Sequence, residues 1–342
     1  MASICGLVLK RAIIDCFGTN LMFLDQTIRL MLDSLGRSEE YEFYLRKFKN
    51  VTSNCLAVIV PDENSLRFQG DALFFSLHFL KRLELFPALA LAGPHALRMA
   101  RRLQERDHEA CLASAIIIDS SSVADVDRSA LDDYVNQCTA GHRLPLCVLP
   151  NLGVPELVLT LSPLLSPRIH LLRANGGLRD RSNQTVQYFK TPFALDSLRP
   201  ADGAVAALAR DLIQAQGRLH ISITAAPNLL KEIFTIKGAG TIVRHGSQIQ
   251  VSSGLQVDMI RLRQLLETSF RRTPKNTFQI EPTAILYHDI EYRGAILLEK
   301  LDFGYYLSKF AVGPQARGEG IGMELWDVML ETTSQIAWRS RA

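Results

Sequence analysis

The chain has 342 residues, 47% of them hydrophobic and 21% charged, with a formal net charge of +3. That length suits two domains better than one core, and so small a charge, with no run of Lys and Arg, argues against a nucleic-acid partner. No apolar stretch approaches the ~18 residues of a transmembrane helix, so no membrane span is expected, and six cysteines without a C-x-x-C pair read as reduced thiols rather than metal ligands.

In chain order, the first twenty residues carry Lys10 and Arg11 and no acid before Asp15. They read either as a transit peptide or as an ordinary extension. Helical periodicity runs from about Phe23 to Phe48. Leu56–Val60 reads as a buried strand, and Asp71 as the cap of a helix bearing Leu73, Leu77 and Leu80. Ala88–Ala92 is a strand closed by Gly93, and Pro94 opens a helix to about Gln104. A strand at Ala115–Ile118, a helix at Asp125–Gln137 and strands at Pro145–Leu149 and Ile169–Leu172 follow. After the turn Asn175-Gly176-Gly177 come a helix at Ala204–Gln214, a strand at His220–Thr224 and a short helix at Pro227–Phe234. Alternation of strand and helix implies parallel strands in a three-layer α/β/α sandwich. Gly246–Gly254 reads as a polar linker. Beyond it a helix from about Val257 to Phe270 precedes strands at Ala284–Tyr287, Arg293–Leu298 and Tyr305–Val312. A glycine loop, a helix from Gly320 to Thr333 and a strand near Ile336–Arg339 end the chain.

The glycine loop carries the clearest chemistry. Gly318, Gly320 and Gly322 let backbone N–H groups point into one small volume at the positive end of a helix, which makes an anion site. The spacing Q-x-x-G-x-G from Gln315, and the order of elements around it, resemble the pyrophosphate loop of GNAT acyltransferases, which implies acetyl-CoA as co-substrate. The resemblance narrows further. Tyr306–Val312 resembles the Y-L-D-K-F-A-V strand of N-acetylglutamate synthases, and Arg317–Gly322 their Q-G-E-G-L-G. The stretch from Leu229 to Thr241 is similar to L-L-x-E-L-F-T-x-K-G-x-G-T, Asn175–Asp180 to T-G-G-L-x-D, and Trp338–Arg341 to W-R-S-R.

That resemblance, of the animal and mitochondrial type, implies a helical extension at residues 1–48, a non-catalytic amino-acid-kinase-like domain at 49–245 and a GNAT domain at 246–342. It implies L-glutamate as acceptor, L-arginine as allosteric effector, a homo-oligomer, a role in arginine biosynthesis or the urea cycle, and a mitochondrial matrix setting with the cytoplasm as alternative. Backbone N–H groups of Phe310, Ala311 and Val312, with Gln315, Arg317 and the three glycines, are the implied acetyl-CoA contacts. Lys309, Arg339 and Arg272 are implied to hold the carboxylates of glutamate, since charge-assisted contacts suit that ligand. Tyr306 is the candidate that orients substrate or returns a proton to the departing thiolate. Glu232, Gly238 and Gly240 are the implied arginine-binding residues, with helix capping as their plain structural role.

The chain departs from the family at three places. Val60-Pro61-Asp62 stands where kinase members carry lysine and paired glycines, so phosphoryl transfer is not expected. Ser308 replaces the family's Asp. The family also continues past W-R-S-R, so the GNAT domain is expected to be incomplete, and a catalytically impaired relative acting as a ligand-binding or regulatory subunit is the second reading.

Overall fold

The computed structural model describes residues 26–49, 55–109, 111–120, 122–191, 195–235, 238–317 and 320–339. Two helices come first, α1 (Gln26–Leu35) and α2 (Ser38–Lys49), followed by β1 (Val58–Pro61), α3 (Glu63–Arg82), β2 (Ala88–Ala92) and α4 (Ala96–Arg106). Then come β3 (Ile116–Ile117), α5 (Arg128–Ala140), β4 (Leu146–Leu149), α6 (Val154–Leu161) and β5 (Arg168–Leu172). β6 (Tyr188–Thr191), α7 (Pro200–Ala215), β7 (His220–Thr224), α8 (Leu229–Phe234) and β8 (Thr241–His245) complete the first stretch. The last part holds β9 (Ile249–Ser253), α9 (Met259–Phe270), β10 (Ile285–Asp289), β11 (Gly294–Leu301), β12 (Gly304–Val312), α10 (Ile321–Thr332) and β13 (Ile336–Ala337).

The chain divides into two compact units, Met1–Gly177 with Ile221–Gly240, and Leu178–His220 with Thr241–Ala342. In the first unit the strands run in the order β3-β4-β2-β1-β5-β7. The pairings of β1 with β2 and β5, and of β4 with β2 and β3, are parallel. Ile59, Leu89, Leu91, Leu146 and Val148 join one core with α1, α2, α3, α4 and α8. The residues between them, Val58, Val60, Ala88, Ala90 and Cys147, are also buried. Both faces of the sheet are therefore covered, which is why its strands read as continuous apolar runs rather than alternating ones. Cys55, Cys111, Cys138 and Cys147 are buried and in no disulfide, and desolvation pushes the Cys55 thiol up to about 12. Cys5 and Cys16 lie outside the described residues.

Three local expectations are corrected. Asp62, not Asp71, caps α3: its carboxylate accepts from the Ser65 N–H at 2.6 Å. Asp71 lies inside that helix and pairs with Arg106 at 2.9 Å. The two stretches look separable because the backbone kinks at Gln69, whose amide reaches the carbonyl of Ala174. α4 starts at Ala96 behind an N-cap at His95 rather than at Pro94. The supposed linker Gly246–Gly254 contains β9, which pairs antiparallel with β10.

In the second unit β6 and β8 pair in parallel, and a five-stranded sheet runs β13-β12-β11-β10-β9. Leu262, Leu265 and Leu266 of α9 pack on Leu286, Ala295, Leu297 and Ala311 on one face of that sheet. Ile321, Leu325 and Met329 of α10 pack on Tyr287, Ile296 and Leu298 on the other. No described helix is long and apolar enough to cross a membrane.

Candidate functional site

The site is built where β12 changes its hydrogen-bonding partners. On one side β12 pairs with β11 over its whole length, from Gly304 to Val312. On the other it pairs with β13 only at Tyr305 and Tyr306. From Leu307 to Val312 its second edge has no strand beside it among the described residues. An unpaired edge offers amide donors and acceptors to an extended ligand, as in strand addition.

A bulge sits where the edge opens. Leu297 faces Lys309 and Leu298 faces Leu307, so Ser308 is the extra residue. Bulges bend a strand and raise its local twist. The bulge also sorts the side chains. Tyr305 and Leu307 pack on the α10 side, whereas Lys309 stands opposite Leu297 and next to Ala311, on the α9 side. Lys309 bends back onto Ser308, donating to its carbonyl and hydroxyl oxygens at 3.2 Å each.

Beyond Val312 a short turn leads to α10. Gly320 adopts φ +75°, a left-handed conformation that favours glycine, and no side chain caps the helix behind it. The Met323 and Glu324 N–H groups bond to the Gly320 carbonyl at 3.0 and 3.2 Å, which leaves those of Ile321 and Gly322 for a ligand. A Cβ on Gly322 would lie 3.3 Å from Val312 and 3.4 Å from the Phe310 ring, so glycine lets α10 approach the strand end. A Cβ on Gly320 would lie 2.3 Å from the ring of Tyr188. Arg317 fixes the turn by donating to the carbonyls of Val312 at 3.4 Å and Ser269 at 3.0 Å, which ties the last turn of α9 to the loop. Gly318 and the side chain of Gln315 lie outside the described residues, as does Arg341.

Phe310 stacks with Trp326 at 6.1 Å, and Trp326 meets Trp338 edge-on at 5.8 Å. These rings bridge β12, α10 and the segment after β13. Arg339 follows Trp338 and is exposed; Arg272, just past the left-handed Arg271 that ends α9, is exposed too. Tyr306 is half-buried. No carboxylate pairs with Arg272, Lys309 or Arg339 among the described residues. Sequence reasoning missed the bulge, Tyr188 and Trp326, and met Trp338 only as part of the W-R-S-R resemblance. Only the apolar spacing of α10 hinted at Trp326.

In the first unit Glu232, Gly238 and Gly240 come together as expected, but tightly. Glu232 is buried, not exposed, and its carboxylate accepts from the Ala239 N–H at 2.7 Å. Burial raises its pKa, against lowering by the Ala239 and Gly240 N–H groups. Gly238 has φ +66°, and a Cβ there would lie 2.7 Å from that carboxylate. A Cβ on Gly240 would lie 2.3 Å from the Ile223 carbonyl. At the end of β1, where a phosphate cradle would need glycines, the Asp62 carboxylate occupies the N-terminus of α3. A fixed anion there opposes phosphate binding.

With this geometry in view, a family model described as the NAT N-acetyltransferase of N-acetylglutamate synthase matches residues 247–342. An acetylglutamate kinase of Xylella fastidiosa is 34% identical over 90% of this chain and 88% of its own length. The mitochondrial N-acetylglutamate synthase of Homo sapiens is 26% identical over 93% of this chain and 70% of that protein. Among solved structures, N-acetylglutamate synthase from Neisseria gonorrhoeae, complexed with coenzyme A and N-acetyl-glutamate, superposes with a TM-score of 0.52. It is 14% identical and is matched over 86% of this chain and 85% of that one, a likeness of fold.

Proposed function

The chain belongs to the family that holds the acetylglutamate kinases and the N-acetylglutamate synthases, and we propose that it works as an amino-acid N-acetyltransferase that moves the acetyl group of acetyl-CoA onto the amino group of L-glutamate. The observation that carries this reading is the one-sided edge of β12 leading to the uncapped N-terminus of α10. Amide groups of the pantetheine arm pair with the free edge, and the diphosphate sits at the helix N-terminus. The thioester carbonyl then lies along Phe310–Val312, where backbone N–H groups stabilise the oxyanion. Arg272, Lys309 and Arg339, cations with no acidic partner among the described residues, take the two carboxylates of glutamate. The ammonium must lose a proton before it attacks, and Tyr306 is the residue we assign to protonating the leaving thiolate.

The kinase-named relative does not extend this reading to phosphoryl transfer, because the helix N-terminus that would cradle phosphate carries Asp62. For L-arginine as effector, the supporting arrangement is the buried carboxylate of Glu232 against Gly238 and Gly240, a group suited to a guanidinium. Homo-oligomerisation and a place in arginine biosynthesis or the urea cycle complete the proposal. So does the mitochondrial matrix, in keeping with the word mitochondrial in the human relative's name, with the cytoplasm as alternative.

The test is thiol release from acetyl-CoA by the full chain, with and without L-glutamate. Glutamate-dependent release supports the transfer. Coenzyme A binding by calorimetry with no release under any acceptor overturns the activity and leaves a binding protein.

A further inference from the structure

Arg244 on β8 and Glu324 on α10 form an ion pair whose side chains are only 7% and 3% exposed. One Glu324 oxygen accepts from the Arg244 guanidinium, and the other accepts from the Ser247 backbone N–H at 2.7 Å. The Arg244 Nε is buried and has no partner among the described residues. As a source of stability such a pair is poor, because desolvating two charges offsets most of their attraction. Its position gives it another use. Glu324 is the fourth residue of α10, and its N–H bonds to the Gly320 carbonyl at 3.2 Å, so it belongs to the first turn. Helical side chains lean toward the N-terminus of their helix. A carboxylate there suits the helix dipole by itself, but it competes with an incoming anion for the same field.

We propose that Arg244 is a positioning residue for the acyl-CoA diphosphate: it cancels the charge of Glu324, and through that carboxylate it holds the first turn of α10 in place. The carboxylate supplies the anchor, and the guanidinium removes the charge that the anchor would otherwise present to the ligand. This rests on the acyl-CoA reading of the loop above.

The experiment is calorimetric binding of coenzyme A to the full chain as wild type, R244M, R244K, E324Q and R244M/E324Q, with steady-state kinetics beside it. R244M is expected to raise the coenzyme A Kd and the acetyl-CoA KM by about tenfold or more with little change in kcat. R244M/E324Q is expected to regain most of that loss, because the carboxylate leaves with the cation, whereas a packing defect would not be repaired by a second change. R244M that binds like wild type overturns the proposal, as does an equal loss in the single and double variants. Should R244M fail to fold in a melting scan, R244K decides: lysine keeps the charge, so a loss of no more than about threefold is expected, and a loss of about tenfold or more overturns. Wild-type protein that binds no coenzyme A overturns the acyl-CoA reading and this proposal together.

Discussion

At the residue scale, absent side chains say as much as present ones. Gly320 has a left-handed backbone and the Tyr188 ring against it. Gly320→Ala is expected to cost about 1–2 kcal/mol in backbone strain, to lower the melting temperature by a few degrees and to raise the acetyl-CoA KM. G320A/Y188A would remove the clash and keep the strain, so a partial recovery in KM separates the two causes. Lys309 tests the substrate assignment. Lys309→Met is expected to raise the glutamate KM by about tenfold or more with acetyl-CoA KM unchanged, since one charge-assisted contact is worth roughly 1.5–3 kcal/mol. A fall in acetyl-CoA affinity instead would place Lys309 on the cofactor. The glycines were legible in the sequence because their spacing needs no tertiary information. Tyr188 and Arg244 were not, because each acts on α10 from more than 75 residues away in the chain, and no local pattern records such a meeting.

At the element scale, the bulge in β12 is the feature with the sharpest consequence. Leu307 and Lys309 already lie on opposite faces, so deleting Ser308 would give a regular ladder without turning any side chain over. The expected result is a folded protein, by circular dichroism and melting, whose kcat/KM falls by about tenfold or more because the strand loses the bend and twist that a bulge imposes where the edge opens. An active deletion variant would show that the free edge does not depend on the bulge. Strands buried on both faces, such as β2, were legible to the residue because their apolar run has clear ends. β9 was not: Ile249 and Val251 do alternate with Gln250 and Ser252, but the run is short, lies between Gly246 and Gly254, and as an edge strand buries none of its residues, so it reads as linker. The start of α3 was misplaced for a related reason. Asp62 and Asp71 are equally good caps by type, and only tertiary contacts decide between them.

At the scale of the whole molecule, the first unit bears on acid stability through His170 and, by the reading proposed above, on the response to arginine. His170 on β5 bonds to the Ser222 hydroxyl at 2.6 Å, and burial, with Arg168 adding, pushes its pKa down to about 4. Its folded pKa lies below the unfolded value of about 6.5, so the unfolded chain binds the proton first. Stability is therefore complete above about pH 6.5 and is lost as pH falls toward 4, by about 3 kcal/mol at most. His170→Gln is expected to flatten melting temperature against pH over that window, and an unchanged slope would assign acid sensitivity elsewhere. If arginine binds at Glu232, saturating L-arginine should raise the melting temperature by several degrees, about 2.7 kcal/mol at a hundredfold excess over Kd, and Glu232→Gln should abolish the rise. The three-layer order and the glycine turn before α10 were legible because both follow from chain order. The way the backbone N–H groups engage the Glu232 carboxylate was not, because it depends on how the loop closes. The aromatic bridge beside α10 has one more consequence. The chain holds only two tryptophans, and both belong to it. The protein thus carries its own optical gauge: emission excited near 295 nm comes from this bridge alone, and if acyl-CoA enters beside it as proposed, each step of filling can be timed in a stopped-flow cell without a label.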